Sequence, residues 1–134
     1  MGLQLGSRGA ALDGVITTFD DDGLPDPSHL EDRLALTSPA AIKRGSARCP
    51  ASLMIFDLMH LDRRDTVSLP YEDRRKLLAG LELSGDAWQA PSHHVGDGEA
   101  LAKAARDRGL PGVVATQLDR PYRAGKKVRD WLQP

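Results

Sequence analysis

Ala51-Ser52-Leu53-Met54-Ile55-Phe56-Asp57-Leu58 is the stretch on which the fold turns. It is a continuous apolar run of strand length, and a run of this kind predicts a strand buried in a sheet. Upstream, Ala11–Phe19 (ALDGVITTF) is rich in β-branched residues and runs into Asp20-Asp21-Asp22-Gly23, a strand ending in a turn. Between these two strands, Ser28 with Glu31 three residues on has capping-box spacing and predicts a helix over Ser28–Leu36. Thr37–Pro50, with its Pro, Ser and Gly, reads as loop. Downstream, Pro70 suits the first position of a helix over Pro70–Ala79, with Gly80 near its end, and a short strand is expected at Trp88–Pro91. Asp97 is placed to cap a helix over Gly98–Arg108, which Gly109 stops. Gly112–Gln117 reads as a strand, and the chain closes with a loop and a short strand at Val128–Leu132. Strands and helices interleave irregularly without an internal repeat, which makes residues 1–134 one domain of the α+β class.

Composition fits that reading. The 134 residues are 40% hydrophobic and 28% charged, and 13 glycines with 9 prolines stay below the roughly 25–30% that marks low complexity. No apolar run approaches a membrane span, and Met1–Ala11 lacks a basic-then-apolar leader layout, so a cytoplasmic protein without a membrane partner is expected. The single cysteine, Cys49, excludes an internal disulfide and an all-cysteine metal site. Net charge is −1, yet its distribution is uneven. Residues 1–32 carry Asp13, Asp20, Asp21, Asp22, Asp26, Glu31 and Asp32 against Arg8 alone. From Gln117 onward, Arg120, Arg123, Lys126, Lys127 and Arg129 face only Asp119 and Asp130. A basic stretch of this kind suits phosphates, or is a solvated surface loop.

Four ordered blocks carry a family resemblance: DGVITTFDDDGLPD at Asp13–Asp26, LMIFDLMHLD at Leu53–Asp62, LPYEDRRKLL at Leu69–Leu78, and GDGEALAKAARDRGLPGVVATQLDRPYRAGKKVRDWL at Gly96–Leu132. Together they resemble the adenylation domain of ATP-dependent DNA ligases, of the bacterial end-joining and repair type, over nearly the whole chain from about Leu12. The resemblance implies a partial nucleotidyltransferase fold, with mixed and antiparallel sheets and flanking helices. It identifies the chain with the C-terminal part of an adenylation domain, with no oligonucleotide-binding domain in these residues. It also implies ATP and Mg²⁺ as cofactors, and a lysyl-AMP whose AMP passes to the 5′-phosphate at a nick.

Several positions depart from the family pattern. No Lys-x-Asp-Gly, the family's nucleophile motif, occurs here, and the first lysine is Lys43. Val15 stands where the resemblance places a nucleotide-contacting glutamate after Asp13-Gly14. Phe56 stands where the family sets an aromatic ring against adenine; the residues alone read it equally well as a core side chain. Pro111 and Thr116 occupy the places of a metal-binding glutamate and a lysine. Lys127 takes the place of a nucleotide-contacting arginine, and keeps charge without the bidentate fork. Gln133 replaces a phosphate-facing lysine, and Lys126 and Arg129 are candidate phosphate or DNA contacts. His93-His94, Cys49, Trp88 and Trp131 read as surface or packing residues rather than chemistry.

Three functions follow from these residues. One is a ligase that forms lysyl-AMP, which these departures make incompetent alone. Another is a ligase-derived module that binds nucleotide or DNA without catalysis. The last is a vestigial fragment that self-associates through exposed apolar surface. Expected partners are DNA, bound weakly, and a companion protein that supplies the preceding segment.

Overall fold

In the computed structural model, residues 1–110, 112–125 and the strand backbone of 131–132 are described. The long apolar run forms β2 (Ala51–Leu61), and it pairs antiparallel with β1 (Ala10–Thr18) along its whole length. On its other side β2 pairs parallel with β5 (Trp88–Gln89), which pairs in turn with β4 (Ser84–Gly85), while β3 (Arg64–Asp65) folds back on the end of β2. The resulting sheet is mixed and has the order β1-β2-β5-β4, so β1 is an edge. A second, two-stranded antiparallel sheet joins β6 (Ala115–Thr116) to β7 (Trp131–Leu132). The α+β class and the mixed and antiparallel sheets expected from the sequence are present.

Helix α4 (Tyr71–Ala79) lies against β2 and closes the core, in which Ile55, Leu58, Leu61, Leu78, Leu81 and Leu83 are buried together. Its buried face is Tyr71, Arg74, Arg75 and Leu78, the i, i+3, i+4, i+7 stripe of a helix, with two arginines on the inside. Trp88 packs against the same core and donates its indole N–H to Gln4 at 2.7 Å, from the short α1 (Gly2–Leu5). The remaining helices are α2 (Pro27–Leu34), α3 (Pro39–Arg48) and α5 (Gly98–Asp107). No described helix is long and apolar enough to cross a membrane.

Three local expectations need correction. Thr37–Pro50 is not a loop. Ser38 caps α3 by accepting from Ala41 N–H, Pro39 sits in the first turn, and the run that follows is helix-compatible. Gly45, which reads as a breaker, is buried where a Cβ would stand 2.5 Å from Leu36 Cδ1, so it is small for packing. The N-cap of α2 is Asp26 rather than Ser28, because the Asp26 carboxylate accepts from both the backbone and the hydroxyl of Ser28. Only Ala115–Thr116 of Gly112–Gln117 is strand. Of Val128–Leu132, Trp131–Leu132 forms β7 and the rest lies outside the described residues.

Candidate functional site

Phe56 owes its setting to a defect in the β1–β2 ladder. Asp13 lies opposite Asp57 and Gly14 opposite Ile55, so Phe56 is an extra residue in β2 with no counterpart on β1, a β-bulge. A bulge takes one carbonyl out of the ladder, and a half-buried carbonyl needs another donor. The Phe56 carbonyl accepts from Arg75 Nη1 at 3.0 Å and from the Tyr71 hydroxyl at 3.3 Å, both on α4. Gly14 explains why the strands come so close here. A Cβ on it would stand 2.5 Å from the Met54 carbonyl oxygen.

The half-buried Phe56 lines a cleft of about 1120 Å³. Its floor is Val15, Phe56, Tyr71 and Arg75 from the sheet and α4. Its rim is Pro91–Gly96 with Gly98 and Leu101 of α5, and its far wall is Val113–Thr116 with Leu118. All four motif blocks therefore meet at one place, through Val15, Phe56, Tyr71 with Arg75, and Thr116. Lys43 is exposed on α3 and is not among the lining residues. Pro111, Lys126, Lys127, Arg129 and Gln133 lie outside the described residues.

The floor is held by a polar network that the sequence reading passed over. Asp57, 0% exposed, takes a two-pronged ion pair from Arg74, 1% exposed, with both N···O distances at 2.8 Å. Arg74 also donates to the carbonyls of Leu69 and Arg120, and its guanidinium lies 5.4 Å from the Tyr71 ring centre and 5.8 Å from that of Tyr122. Tyr122 donates its hydroxyl to Asp13 at 2.9 Å. Burial pushes the Tyr71 hydroxyl above its ordinary pKa; burial, and then the bond to Asp13, do the same to Tyr122. Arg75 spends its two terminal nitrogens on the carbonyls of Phe56 and Pro91, tying the floor to the rim, while its Nε is buried with no partner. The stripe of Tyr71, Arg74, Arg75 and Leu78 was the available signal for these roles.

The chemistry the cleft offers follows from its lining. A ring at Phe56 between valine and leucine side chains suits a flat heterocycle. Arg75 is the only side chain with a fixed positive charge among the described lining residues, and it already serves two carbonyls. The same residues include no Asp, Glu or Lys, and no group of three or more His, Cys, Asp or Glu among the described residues is arranged to hold a metal ion. The described lining residues suit an adenine ring and offer no carboxylate to a divalent metal.

A family model described as ATP dependent DNA ligase domain matches residues 3–133. The chain is 26% identical over 133 residues to the multifunctional non-homologous end joining protein LigD of Mycolicibacterium smegmatis, a match covering 99% of this chain and 16% of that protein. It is 32% identical over 135 residues to a probable DNA ligase of Streptomyces avermitilis, covering 98% of this chain and 26% of that one. Among solved structures, a mycobacterial DNA ligase D complexed with ATP and MES superposes with a TM-score of 0.79 at 28% identity, over 98% of this chain and 40% of the other. The chain thus spans between a sixth and about a quarter of the length of these two curated relatives.

Proposed function

The chain belongs to the ATP-dependent DNA ligase domain family, and from that premise we propose that it is the later part of an adenylation domain, a single unit whose cleft binds an adenine nucleotide without forming lysyl-AMP by itself. One observation carries this reading: the bulge sets Phe56 in a cleft whose other motif positions, Val15 and Thr116, are uncharged. Base recognition needs a ring and apolar walls, which are present. Transfer needs a nucleophile and cations for developing phosphate charge, and this chain has no Lys-x-Asp-Gly and no lysine among the described lining residues. In the full reaction the lysine comes from a segment outside residues 1–134. Lys127 then acts on the nucleotide, and the protein works in the cytoplasm.

Incubation with radiolabelled ATP and Mg²⁺ or Mn²⁺, followed by denaturing electrophoresis beside an active ligase, tests the proposal. No label is expected on the folded chain alone. A pyrophosphate-reversible label on any of its lysines, Lys43 included, overturns it.

A second reading, DNA contact, is favoured by the run of Arg120, Arg123, Lys126, Lys127 and Arg129 near the end of the sequence. Lys126 and Arg129 then meet phosphates. The double substitution of Lys126 and Lys127 by alanine lowers duplex binding at low salt and flattens its salt dependence by about two counterions. Unchanged binding removes this reading.

A further inference from the structure

The buried Arg75 donates to the Pro91 carbonyl, and from that anchor the chain runs through residues 91–95 without a turn. His93 and His94 are thereby hung on the rim, where both line the cleft and both are exposed. Neither imidazole makes a hydrogen bond or an ion pair with a described residue. The other ionisable groups among the described lining residues are Tyr71 and Arg75, both on α4. Tyr71 donates its hydroxyl to the Phe56 carbonyl, and burial holds its proton on. Both terminal nitrogens of Arg75 are committed to carbonyls. Strand β1 and the far wall contribute no ionisable side chain to the lining. The acids next in sequence, Asp97 and Glu99, are not among the lining residues, and Asp97 turns its carboxylate to the Ala100 N–H.

A nucleotide whose base lies on Phe56 must leave its phosphates at an edge open to water, because a phosphate gives up hydration only to charged or hydrogen-bonding groups. Two edges are available. The far wall, Val113–Thr116 with Leu118, offers one side-chain hydroxyl and no charge, whereas the rim offers two imidazoles. We propose that His93 and His94 form a proton-dependent site for those phosphates, an inference that rests on adenine binding at Phe56 as proposed above. Imidazole is the side chain that ordinarily changes charge between pH 5 and 8. Each imidazolium donates a charge-assisted N–H to a phosphate oxygen, and the negative phosphate in turn favours the protonated ring. ATP binding therefore draws protons from solvent onto the rings, and the hold on the phosphates strengthens as pH falls. Side chains on successive residues of a chain without a turn diverge, so the pair meets separate oxygens instead of converging on one metal ion. Adenosine has no phosphate and leaves the pair unused.

Calorimetric titration of the full chain and of the double variant His93→Gln, His94→Gln tests the proposal, with ATP, adenosine and tripolyphosphate as ligands at about pH 8 and about pH 5.5. At the higher pH the parent should bind ATP within a few-fold of adenosine. At the lower pH its preference for ATP over adenosine should grow by about tenfold, the effect of one pKa unit on an imidazole. The glutamine variant should show no such gain, and tripolyphosphate should bind the parent in acid and not the variant. His93→Lys with His94→Lys, whose charge does not titrate in this range, should prefer ATP at both pH values. Both positions are exposed, and urea unfolding shows that each variant is folded. The same ATP-to-adenosine ratio in parent and glutamine variant at the lower pH overturns the inference, and with adenosine still bound leaves the base site standing. Adenosine that does not bind removes the base site instead, and tripolyphosphate then decides the imidazole pair by itself.

Discussion

The floor and the rim of the cleft are built by different physics. On the floor, Ile55, Asp57, Leu58, Arg74 and Leu78 are all but inaccessible to solvent, and a buried ion pair, two tyrosines and a bulged carbonyl interlock. On the rim, every residue from Pro91 to Ala100 is exposed, and α5 buries only Ala105. Arg75 ties the floor to the rim at the Pro91 carbonyl, and Glu72 N–H ties it to the far wall at that of Leu118. The resemblance read from the sequence divides along a similar line. It matches at Asp13, Gly14 and Phe56 on the floor, and departs at Thr116 on the far wall. Val15 is the one departure on the floor itself, and it sits at an exposed position of the edge strand, where a side chain can change without disturbing the core. Framework and chemistry are separable here: the floor is held by packing and a buried ion pair, and the rim is exposed.

The sharpest way to break this contrast is Asp57→Ala. It leaves the Arg74 guanidinium buried and unpaired, and should cost about 3–5 kcal/mol by urea unfolding, a large share of a small domain's stability. A loss under about 1 kcal/mol would mean that the floor is not the framework. Gly14→Ala comes next. Its Cβ would overlap the Met54 carbonyl, so about 1–3 kcal/mol is expected by the same assay, with the β1–β2 register loosened.

Tyr122→Phe removes one hydrogen bond to Asp13, worth about 1 kcal/mol near neutral pH. It has a further signature in alkali. Tyr71 and Tyr122 hold their protons more tightly folded than unfolded. That contribution is complete below the ordinary tyrosine pKa of 10.0 and is lost as pH rises through the raised values. The parent should therefore lose stability above pH 10 more steeply than the variant, as followed by the unfolding midpoint across the alkaline range. Parallel curves would separate Tyr122 from the network. At the small end, Gly98→Ala on the rim meets nothing within 4 Å, and should shift stability by less than about 1 kcal/mol, toward greater stability. A clear destabilisation would show the rim to be more tightly built than its exposure indicates.

How far the sequence alone reaches follows the same division. The two long strands and α4 are legible because apolar runs and a proline at a helix start act locally. Helix α3 is missed because Gly45 looks like a breaker until Leu36 is seen packed against it. Phe56 can be placed in β2 but not in a bulge, since a bulge exists only relative to the register with β1. Arg74 and Arg75 look like the solvated side of a charged helix, because Asp57 and the Phe56 and Pro91 carbonyls they serve lie 16 or more residues away in sequence. The basic stretch around Lys126, Lys127 and Arg129 is visible in the sequence and falls outside the described residues.

Calorimetric titration of the chain and of Phe56→Ala with adenosine and with ATP, each with and without Mg²⁺, tests the central claim most directly. If the cleft recognises the base and lacks the groups for phosphate and metal, adenosine and ATP bind within a few-fold of each other and Mg²⁺ changes little. Phe56→Ala then weakens both by about 5- to 150-fold, the range for loss of one base–aromatic stack. ATP binding that depends strongly on Mg²⁺, or that is untouched by Phe56→Ala, would contradict the account.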